Sequence, residues 1–331
     1  TNSLVPLATR YTLQTGDVAD SVEKAYTTIE KYILHTPLLH SPYISSKTGA
    51  NVFLKLESEQ VTGSFKVRGA YHKILSFGEN IEEKYVTAST GNHGMAFALA
   101  CKTLGRVGTV FVPTNASAAK QERMKLYNVE IKQHGEDCVE TEVKARSVAE
   151  ETGATYISPY ADLGVIAGQG TIGVEILRDL PEVDAVFITV GGGGLISGVG
   201  SYIKSQRSGV EIIGCLPKNS PVMMESVKAG RIIEMESLET LSDASAGGVE
   251  AGSPTFPLCQ KVVDRWVTVS EDEISNAMYM MLSQHNKVVE GSAGVALASF
   301  LKLQKEYVGK NVAVVICGAN ITMSKLNYVI Q

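Results

Sequence analysis

One lysine in this sequence stands in a setting that favours covalent chemistry. Lys66 lies in the run TGSFKVRGA (residues 62–70), between small residues, at a turn that opens an apolar-periodic segment. A lysine in such a setting can lose its proton through desolvation and form a Schiff base with a carbonyl compound. The alternative, more common for an isolated lysine, is a solvated residue in the first turn of a helix.

Three further segments each follow a β-like apolar run and precede a helical pattern. They read STGNHG (residues 89–94), GGGGL (residues 191–195) and CGAN (residues 317–320). Strand-to-helix turns of this kind place backbone amides at a helix N-terminus, where anions bind. We therefore expect the three turns and Lys66 to converge on one ligand.

The glycine run predicts a phosphate site. It consists of Gly191, Gly192, Gly193 and Gly194. A helix begins near Leu195, so amides and the positive helix end can face a phosphate with no side chain in the way, whereas a plain tight turn would avoid the entropy cost of four glycines. The rival is a dinucleotide-binding turn, because Glu211 begins the next strand at a distance suited to a ribose contact. Against it, the third glycine of G-x-G-x-x-G falls on Ser197.

The turn at residues 89–94 predicts a second anion site. Its amides combine with the side chains of Ser89, Thr90 and Asn92, and an amino-acid carboxylate would suit it. His93 could instead be a satisfied, partly buried histidine without a chemical role.

Two more residues stand where a side chain would reach a cleft. Cys317 ends a predicted strand at the carboxyl edge of the sheet, although a lone buried cysteine usually serves packing. Glu290 precedes the run GSAG, and a carboxylate at a helix N-terminus is also common for dipole reasons.

Composition narrows the class of protein. The chain has 331 residues, 44% hydrophobic and 20% charged, with a formal charge of -5, which favours a small-molecule ligand over nucleic acid or an anionic membrane. Five widely spaced cysteines form no C-x-x-C pair, which argues against a disulfide framework or a zinc site and favours a reducing compartment. Residues 1–12 show no apolar signal segment, and no apolar stretch approaches the roughly 18 residues of a membrane span. We therefore predict a cytoplasmic protein.

Apolar β-like runs alternate with helical patterns along the chain, which predicts an α/β fold with mostly parallel sheets. The predicted strands lie at residues 52–56, 85–88, 107–112, 129–131, 154–157, 185–190, 211–213, 266–269 and 312–316. The predicted helices include residues 95–103, 118–128, 137–152, 272–285 and 294–306.

The four motifs, in this order and spacing, resemble the serine/threonine dehydratase and serine racemase family of fold-type II (tryptophan synthase β-like) pyridoxal-phosphate enzymes. The resemblance runs from about residue 27 to residue 327. It implies two lobes, each with a mostly parallel twisted sheet flanked by helices. The small substrate-clamping domain would be residues 86–159, and the large cofactor-binding domain residues 1–85 and 160–331. A homodimer is a further family expectation.

The resemblance also assigns roles to residues. Lys66 would hold pyridoxal 5'-phosphate as a Schiff base, Asn92 would bind the ring hydroxyl, Cys317 would face the pyridine nitrogen, and Glu290 would lie near the ring edge. The remaining cofactor contacts would be Phe65, Gly191, Gly192, Gly193, Gly194 and Leu195. The substrate carboxylate would be clamped by Ser89, Thr90, Gly91, Asn92 and His93.

The function implied is an ammonia-lyase (dehydratase). It would convert a 3-hydroxy amino acid such as L-serine or L-threonine to a 2-oxo acid and ammonia by β-elimination, with Lys66 as general base. The alternatives are an amino-acid racemase that uses Lys66 and Thr90 on opposite faces, and a phosphate- or nucleotide-binding protein without catalysis. Alternative substrates are 3-hydroxyaspartate and a hydroxyectoine-pathway intermediate.

Two departures from the family pattern affect these alternatives. The stretch CLPKNSPV (residues 215–222) lacks the Glu and Asp cation ligands of the racemases, so no metal is predicted. Thr90 stands where the racemases place a hydroxyl that acts as the second-face base and where typical dehydratases carry alanine; it has the hydroxyl but adds a methyl group. Separately, Ala244, after Asp243, stands where glycine is usual, which leaves the geometry of that loop open.

Overall fold

A computed structural model describes residues 15–78, 82–116, 118–136 and 138–331. The strands in these ranges are β1 (Leu38–His40), β2 (Asn51–Lys55), β3 (Lys84–Ala88), β4 (Val107–Val112), β5 (Glu130–Gln133), β6 (Thr155–Tyr156), β7 (Ala185–Thr189), β8 (Glu211–Pro217), β9 (Arg265–Val269) and β10 (Asn311–Val315). Among these described residues, no helix is both long and apolar enough to cross a membrane.

Helices follow most of the strands. They are α1 (Thr15–Ile29), α2 (Pro42–Thr48), α3 (Lys66–Leu75), α4 (Asn92–Thr103), α5 (Ala118–Lys125), α6 (Cys138–Thr152), α7 (Leu163–Asp179), α8 (Gly194–Gln206), α9 (Val222–Ala229), α10 (Thr255–Val262), α11 (Glu271–His285), α12 (Gly291–Leu303) and α13 (Met323–Ile330). Short 3-10 helices occupy Glu57–Glu59, Asp243–Ser245 and Gln304–Tyr307.

The strands form two sheets. One has six strands in the order β1-β2-β10-β7-β8-β9, parallel except for β1, which pairs antiparallel with β2. The other has four parallel strands in the order β5-β4-β3-β6. All five residues of β7 are buried, as expected for a parallel strand covered by helices on both faces. The predicted α/β fold with two mostly parallel sheets is confirmed.

The nine predicted strands are all present within a few residues, and the differences have local causes. Strand β1 was missed because three residues between two prolines are too short to show a period. Helix α7 was missed because nearly all of its first 14 residues are buried, which removes the amphipathic pattern. The predicted helix at 137–152 starts at a residue outside the described ranges, and α6 begins at Cys138.

Three predicted helix starts were late. Helix α4 begins at Asn92 rather than residue 95, and α12 begins at Gly291 rather than residue 294. Helix α11 begins at Glu271, one residue before its predicted start at residue 272, with a capping box formed by Ser270 and Glu273. Glycines near the first two starts hid the boundary, because glycine weakens the helical signal of a sequence.

The predicted domain division stays a prediction. The boundary drawn between residues 85 and 86 falls inside β3, which pairs along its whole length with β4 in the four-stranded sheet. The predicted large domain also includes residues 1–14, which lie outside the described ranges.

A quartet of buried charges joins β2, the 3-10 helix at 57–59, α3 and α7. We call Lys55, Glu57, Arg68 and Glu175 the charge quartet; all four side chains are fully buried. Arg68 donates to both carboxylates at 2.8 Å, and Lys55 Nζ donates to Glu175 at 2.5 Å. Two cations offset two anions, so the buried cluster carries no net formal charge. The quartet therefore holds α3, and with it Lys66 two residues earlier, against the large sheet.

Replacing Arg68 by methionine should destabilise the fold by about 3 to 5 kcal/mol, because two buried carboxylates lose their shared partner. Urea unfolding followed by circular dichroism measures the change. Arg178→Met is the matched control, since that exposed side chain lies over the Tyr26 ring with its guanidinium 4.3 Å from the ring centroid. Equal losses in the two variants would contradict a special role for the quartet.

The charge quartet also makes the stability of the fold depend on pH. Burial alone would raise the pKa of Glu175, but the Arg68 guanidinium and the Lys55 ammonium outweigh it and lower that pKa below the ordinary value. A carboxyl group whose pKa is lower in the folded than in the unfolded state stabilises the fold at pH values above its unfolded-state pKa. This stabilisation is lost as the pH falls through the folded-state pKa. Acid therefore removes this contribution, at pH values below the ordinary carboxyl range.

Candidate active site

All three turns and the start of α3 open onto one cleft of about 860 Å³. The turns follow β3, β7 and β10, so they lie at the carboxyl ends of parallel strands, where α/β proteins bind ligands. The predicted site residues all line it: Phe65, Lys66, Ser89, Thr90, Gly91, Asn92, His93, Gly191, Gly192, Gly193, Gly194, Leu195, Glu290 and Cys317. The structure thus brings together residues that are up to 252 positions apart (65 to 317) in the sequence.

Lys66 is the first residue of α3 and projects into this cleft. Its Nζ donates a hydrogen bond to the carbonyl of Pro159 at 2.8 Å and lies 5.2 Å from the centroid of the Phe65 ring. Burial lowers the pKa of the amine to about 8, and the nearby Cys317 and Glu290 only partly oppose this effect. A neutral amine, which a nucleophile or a base requires, is therefore populated near neutral pH.

The glycine turn after β7 is packed so closely that side chains do not fit. A Cβ at Gly192 would lie 2.4 Å from the Tyr160 ring, and one at Gly191 would lie 2.9 Å from the backbone of Ser245. Gly193 has a φ of +86°, in the left-handed region that favours glycine. The turn leads directly into α8 and offers backbone amides at a helix N-terminus, the arrangement that binds phosphate.

A hydrogen-bonded trio of Asn92, Glu290 and Asn320 forms one wall of the cleft. Asn92 Nδ2 donates to both oxygens of Glu290 at 2.9 and 3.0 Å, and Asn320 Nδ2 donates to Asn92 Oδ1 at 2.6 Å. The Asn320 backbone amide also donates to Glu290 at 3.1 Å. Glu290 makes no side-chain capping bond to its own helix, and its carboxylate accepts from Asn92 and Asn320 instead. Burial raises its pKa to about 6, with Asn92 opposing and Asp243 adding.

His93 is part of the packing at the start of α4. Its ring is buried, and Nε2 lies 3.2 Å from the carbonyl oxygen of Ile157, to which it donates as a neutral ring. Burial, aided by the charge of Lys66, lowers its pKa to about 3. The histidine is therefore neutral at physiological pH.

The turn ahead of His93 is held by local hydrogen bonds. The Ser89 amide donates to Phe111, and the Gly91 amide donates to the Ser89 hydroxyl at 3.2 Å.

Cys317 joins the last turn to the lysine segment. The Phe65 amide donates to the Cys317 carbonyl at 3.1 Å, and Ser64 pairs with Gly318 as an isolated antiparallel bridge. Burial and then the charge of Glu290 raise the pKa of the thiol well above its ordinary value. The group facing the cleft is thus a neutral thiol.

Sequence reasoning missed several residues that line the cleft. Tyr160 covers the glycine turn, and its hydroxyl accepts a hydrogen bond from the Glu250 amide at 2.9 Å. Asn320 and Arg123 were also missed, although Asn320 is the fourth residue of the CGAN turn and could have been found there. No pattern in the sequence marks Tyr160 or Arg123, because each reaches the cleft only through packing of distant segments.

Comparison with known proteins identifies the family. The model of the family described as "Pyridoxal-phosphate dependent enzyme" matches residues 29–318. The chain belongs to this family. The cofactor fits the observed cleft, whose lysine has a lowered pKa and whose side-chain-free turn at a helix N-terminus suits a phosphate group.

Individual relatives of this pyridoxal-phosphate dependent enzyme are similar over most of their length. An L-threonine ammonia-lyase of Thermotoga maritima is 39% identical, over 94% of this chain and 78% of the relative. A catabolic L-threonine dehydratase of Staphylococcus aureus is 37% identical, over 100% of this chain and 96% of the relative.

Two solved structures are also similar to this enzyme. The processed form of threonine deaminase isoform 2 from Solanum lycopersicum has a TM-score of 0.92 at 32% identity, covering 96% of this chain and 88% of that one. Maize serine racemase has a TM-score of 0.88 at 32% identity, covering 94% of this chain and 96% of that one.

Gly192→Ala should weaken pyridoxal-phosphate affinity at least about tenfold, equal to about 1.4 kcal/mol, because the new Cβ overlaps the Tyr160 ring and displaces the glycine turn, whose amides suit a phosphate. Titration of the cofactor by fluorescence measures the change. Gly209→Ala is the control, since nothing lies within 4 Å of its Cβ position. Restored affinity in the double variant with Tyr160→Ala would support the steric cause, whereas full affinity in the single variant would contradict it.

Proposed function

We propose that this chain is an ammonia-lyase that converts a 3-hydroxy amino acid, with L-threonine or L-serine as the leading substrates, to a 2-oxo acid and ammonia. The observation that carries the proposal is the Lys66 amine, with its pKa lowered to about 8, in a cleft between two anion-suited turns. The names of the relatives, L-threonine ammonia-lyase and L-threonine dehydratase, support the same reaction class.

The proposal assigns a task to the cofactor, to Lys66 and to the residues that hold the cofactor. Bound pyridoxal phosphate supplies the electron withdrawal that acidifies the substrate α-carbon. Lys66 carries the cofactor and then takes the α-proton as general base, for which a pKa of about 8 is well matched to neutral pH. The amides of Gly191, Gly192, Gly193, Gly194 and Leu195 hold the phosphate, and Phe65 packs beside the lysine.

The loop after β3 receives the substrate carboxylate. Ser89, Thr90 and Asn92 offer polar side chains beside the amides of Gly91 and His93 at the start of α4. Because His93 is neutral, the loop adds hydrogen bonds rather than a full positive charge. This arrangement orients the α-carbon towards Lys66.

The thiol of Cys317 bears on the choice of reaction. We propose that it faces the pyridine nitrogen of the cofactor, with Asn92 at the ring hydroxyl and Glu290 near the ring edge. A neutral thiol can hydrogen-bond a ring nitrogen but cannot hold a proton on it as a carboxylate would. Less electron withdrawal by the ring favours rapid loss of the β-hydroxyl over transamination.

A racemase is the second candidate, because maize serine racemase is structurally similar and Thr90 places a hydroxyl in the cleft. Racemisation needs a proton donor on the face opposite Lys66. The β-branched Thr90 has restricted rotamers, so we assign its hydroxyl to the carboxylate site rather than to proton transfer.

The assembly of the enzyme is a further part of the proposal. We expect a small substrate-clamping domain at residues 86–159 beside a large cofactor-binding domain, which the two separate sheets support. A homodimer in the cytoplasm is our expectation from the family resemblance.

Lys66→Ala should abolish the visible absorbance of lysine-linked cofactor and reduce turnover by orders of magnitude, since one amine supplies both the covalent link and the base. Borohydride reduction and peptide mapping should locate the cofactor on the Lys66 peptide of the parent. Lys73→Ala is the control, because Lys73 lies on the same helix and pairs with Asp162 at 2.8 Å. Labelling of a different lysine would refute the assignment.

Thr90→Ala should retain most ammonia formation and weaken substrate binding by roughly 1 to 2 kcal/mol, the contribution of one hydrogen bond to a charged group. Ammonia release and chiral chromatography of the remaining amino acid provide the two measurements. A parent enzyme that interconverts L and D isomers as fast as it eliminates, with only that activity lost in Thr90→Ala, would establish the racemase instead.

A further inference from the structure

A loop beside the cleft contains two buried residues whose backbone carbonyls share one donor. We call residues 240–246 the wedge loop; four of its members line the cleft, namely Asp243, Ala244, Ser245 and Ala246. Thr240 and Leu241, at its start, are buried and belong to no helix or strand. Among the described residues, the one hydrogen-bond donor to each of their carbonyl oxygens is Nζ of Lys325. Because buried carbonyl groups are almost always hydrogen-bonded, this lysine meets a requirement of the backbone.

The ammonium of Lys325 lies among three oxygen atoms. It is 3.3 and 3.4 Å from the carbonyl oxygens of Thr240 and Leu241 and 3.2 Å from a carboxylate oxygen of Asp243. An ammonium has three N–H donors, so donors and acceptors match in number. The distances exceed the roughly 2.9 Å of a directed N–H···O bond, which indicates one charge shared by three oxygens. Carbonyl and carboxylate oxygens are also the ligands that hard metal cations take.

A surface ion pair is the simpler explanation for a lysine beside an aspartate. The Asp243 side chain is 55% exposed, and pairs of that kind contribute little to stability. Lys228 shows that ordinary arrangement, since within the described part of the chain it bonds to Glu225 alone, at 2.8 Å. Lys325 differs because it also binds two main-chain carbonyls of buried residues, which have no other donor among the described residues.

The wedge loop is packed between two parts of the cleft. On one side, a Cβ at Gly191 of the glycine turn would lie 2.9 Å from the Cα of Ser245. On the other side, a Cβ at Gly291, the first residue of α12, would overlap the carbonyl oxygen of Leu241. A shift of the wedge loop would therefore disturb both the turn that suits a phosphate and the start of α12, directly after Glu290.

Lys325 reaches the wedge loop from outside the cleft. It belongs to α13 and does not line the cleft, but it lines a second cavity of about 370 Å³ together with Thr240, Asp243 and Gly247. Its ammonium can therefore act on the cleft only through the wedge loop. The side chain is 26% exposed, so a small ion from solvent can reach the same position when the lysine is shortened.

We propose that Lys325 is a positioning residue whose ammonium fills a monovalent-cation site, formed by the carbonyls of Thr240 and Leu241 and the carboxylate of Asp243. The filled site holds the wedge loop against the glycine turn. This inference rests on the proposed function for the reaction that it supports, whereas its effect on cofactor binding is the same for any substrate. Because the positive charge is the essential feature, a free cation of similar size can replace the ammonium.

The experiment removes the lysine and returns its charge as a free ion. Lys325→Ala leaves room for a cation, whereas Lys325→Met fills the same space without a charge. Pyridoxal-phosphate affinity is titrated by fluorescence, and 2-oxo acid formation from L-threonine is measured on the holoenzyme. Both are done in potassium, methylammonium or tetramethylammonium chloride at one ionic strength, since tetramethylammonium is too large for the site.

In tetramethylammonium chloride, we expect both variants to bind the cofactor about tenfold more weakly than the parent, with slower turnover, because two buried carbonyls lose their donor. Potassium or methylammonium should restore Lys325→Ala to within about threefold of the parent and leave Lys325→Met weak. Lys302→Ala is the matched control: Lys302 also donates to a carbonyl, that of Thr268, and pairs with Glu273, but it lines neither cavity. This control and the parent should show one affinity in all three salts.

Parental affinity of Lys325→Ala in tetramethylammonium would overturn the inference, because Lys325 would then be an ordinary surface lysine. Equal weakening in all three salts would also overturn it, since the stem rather than the charge would then hold the loop. If Lys325→Ala is too unstable to titrate, its melting temperature in the same salts replaces the affinity: a rise in potassium over tetramethylammonium supports the site, and no rise rejects it. Salt-dependent cofactor affinity without 2-oxo acid from any amino acid would support the cation site and reject the proposed function.

Discussion

The pairing of Arg68 with Glu57 and Glu175 sets the position of α3, and the cleft depends on that position. Burial of four charges is costly unless each is paired and hydrogen-bonded, and in the charge quartet each of them is. The backbones of α3 and α7 also approach closely, since a Cβ at Gly168 would lie 2.6 Å from the Arg68 carbonyl oxygen. A displaced α3 would break these contacts together, so Lys66 at its first position has little freedom to move.

Desolvation shapes the chemistry around that lysine. Lys66, Glu290 and Cys317 each lose favourable hydration in the cleft, so burial drives each towards its neutral form. The amine titrates at about 8 and the carboxyl at about 6, whereas their ordinary values are six units apart, at 10.5 and 4.5. The two groups thus approach one another in proton affinity, which suits a site where protons move near neutral pH.

Side-chain amides link the segments that follow the two sheets across the cleft. Asn92 follows β3 of the four-stranded sheet. Its two partners lie on the other side of the cleft, Glu290 directly before α12 and Asn320 after β10 of the six-stranded sheet. Arg123 can only donate, so it faces Oδ1 of Asn320 and turns Nδ2 towards Asn92 and the Thr62 carbonyl. Asn92 must then offer its own Nδ2 to Glu290. These hydrogen bonds therefore form one consistent series of donors and acceptors along the wall of the cleft.

The sequence by itself determined the fold class, nearly all of the strands and the residues of the three turns. Continuous apolar runs specify buried parallel strands, and glycine-rich turns between a strand and a helix specify anion sites, because both signals depend on neighbours along the chain. The tertiary structure alone decided what depends on distant contacts. It placed Tyr160 over the glycine turn, directed Glu290 to Asn92 instead of to its own helix, and brought Arg123 to the cleft. It also set the pKa of Lys66, since desolvation arises from the packing of segments that are far apart in the chain.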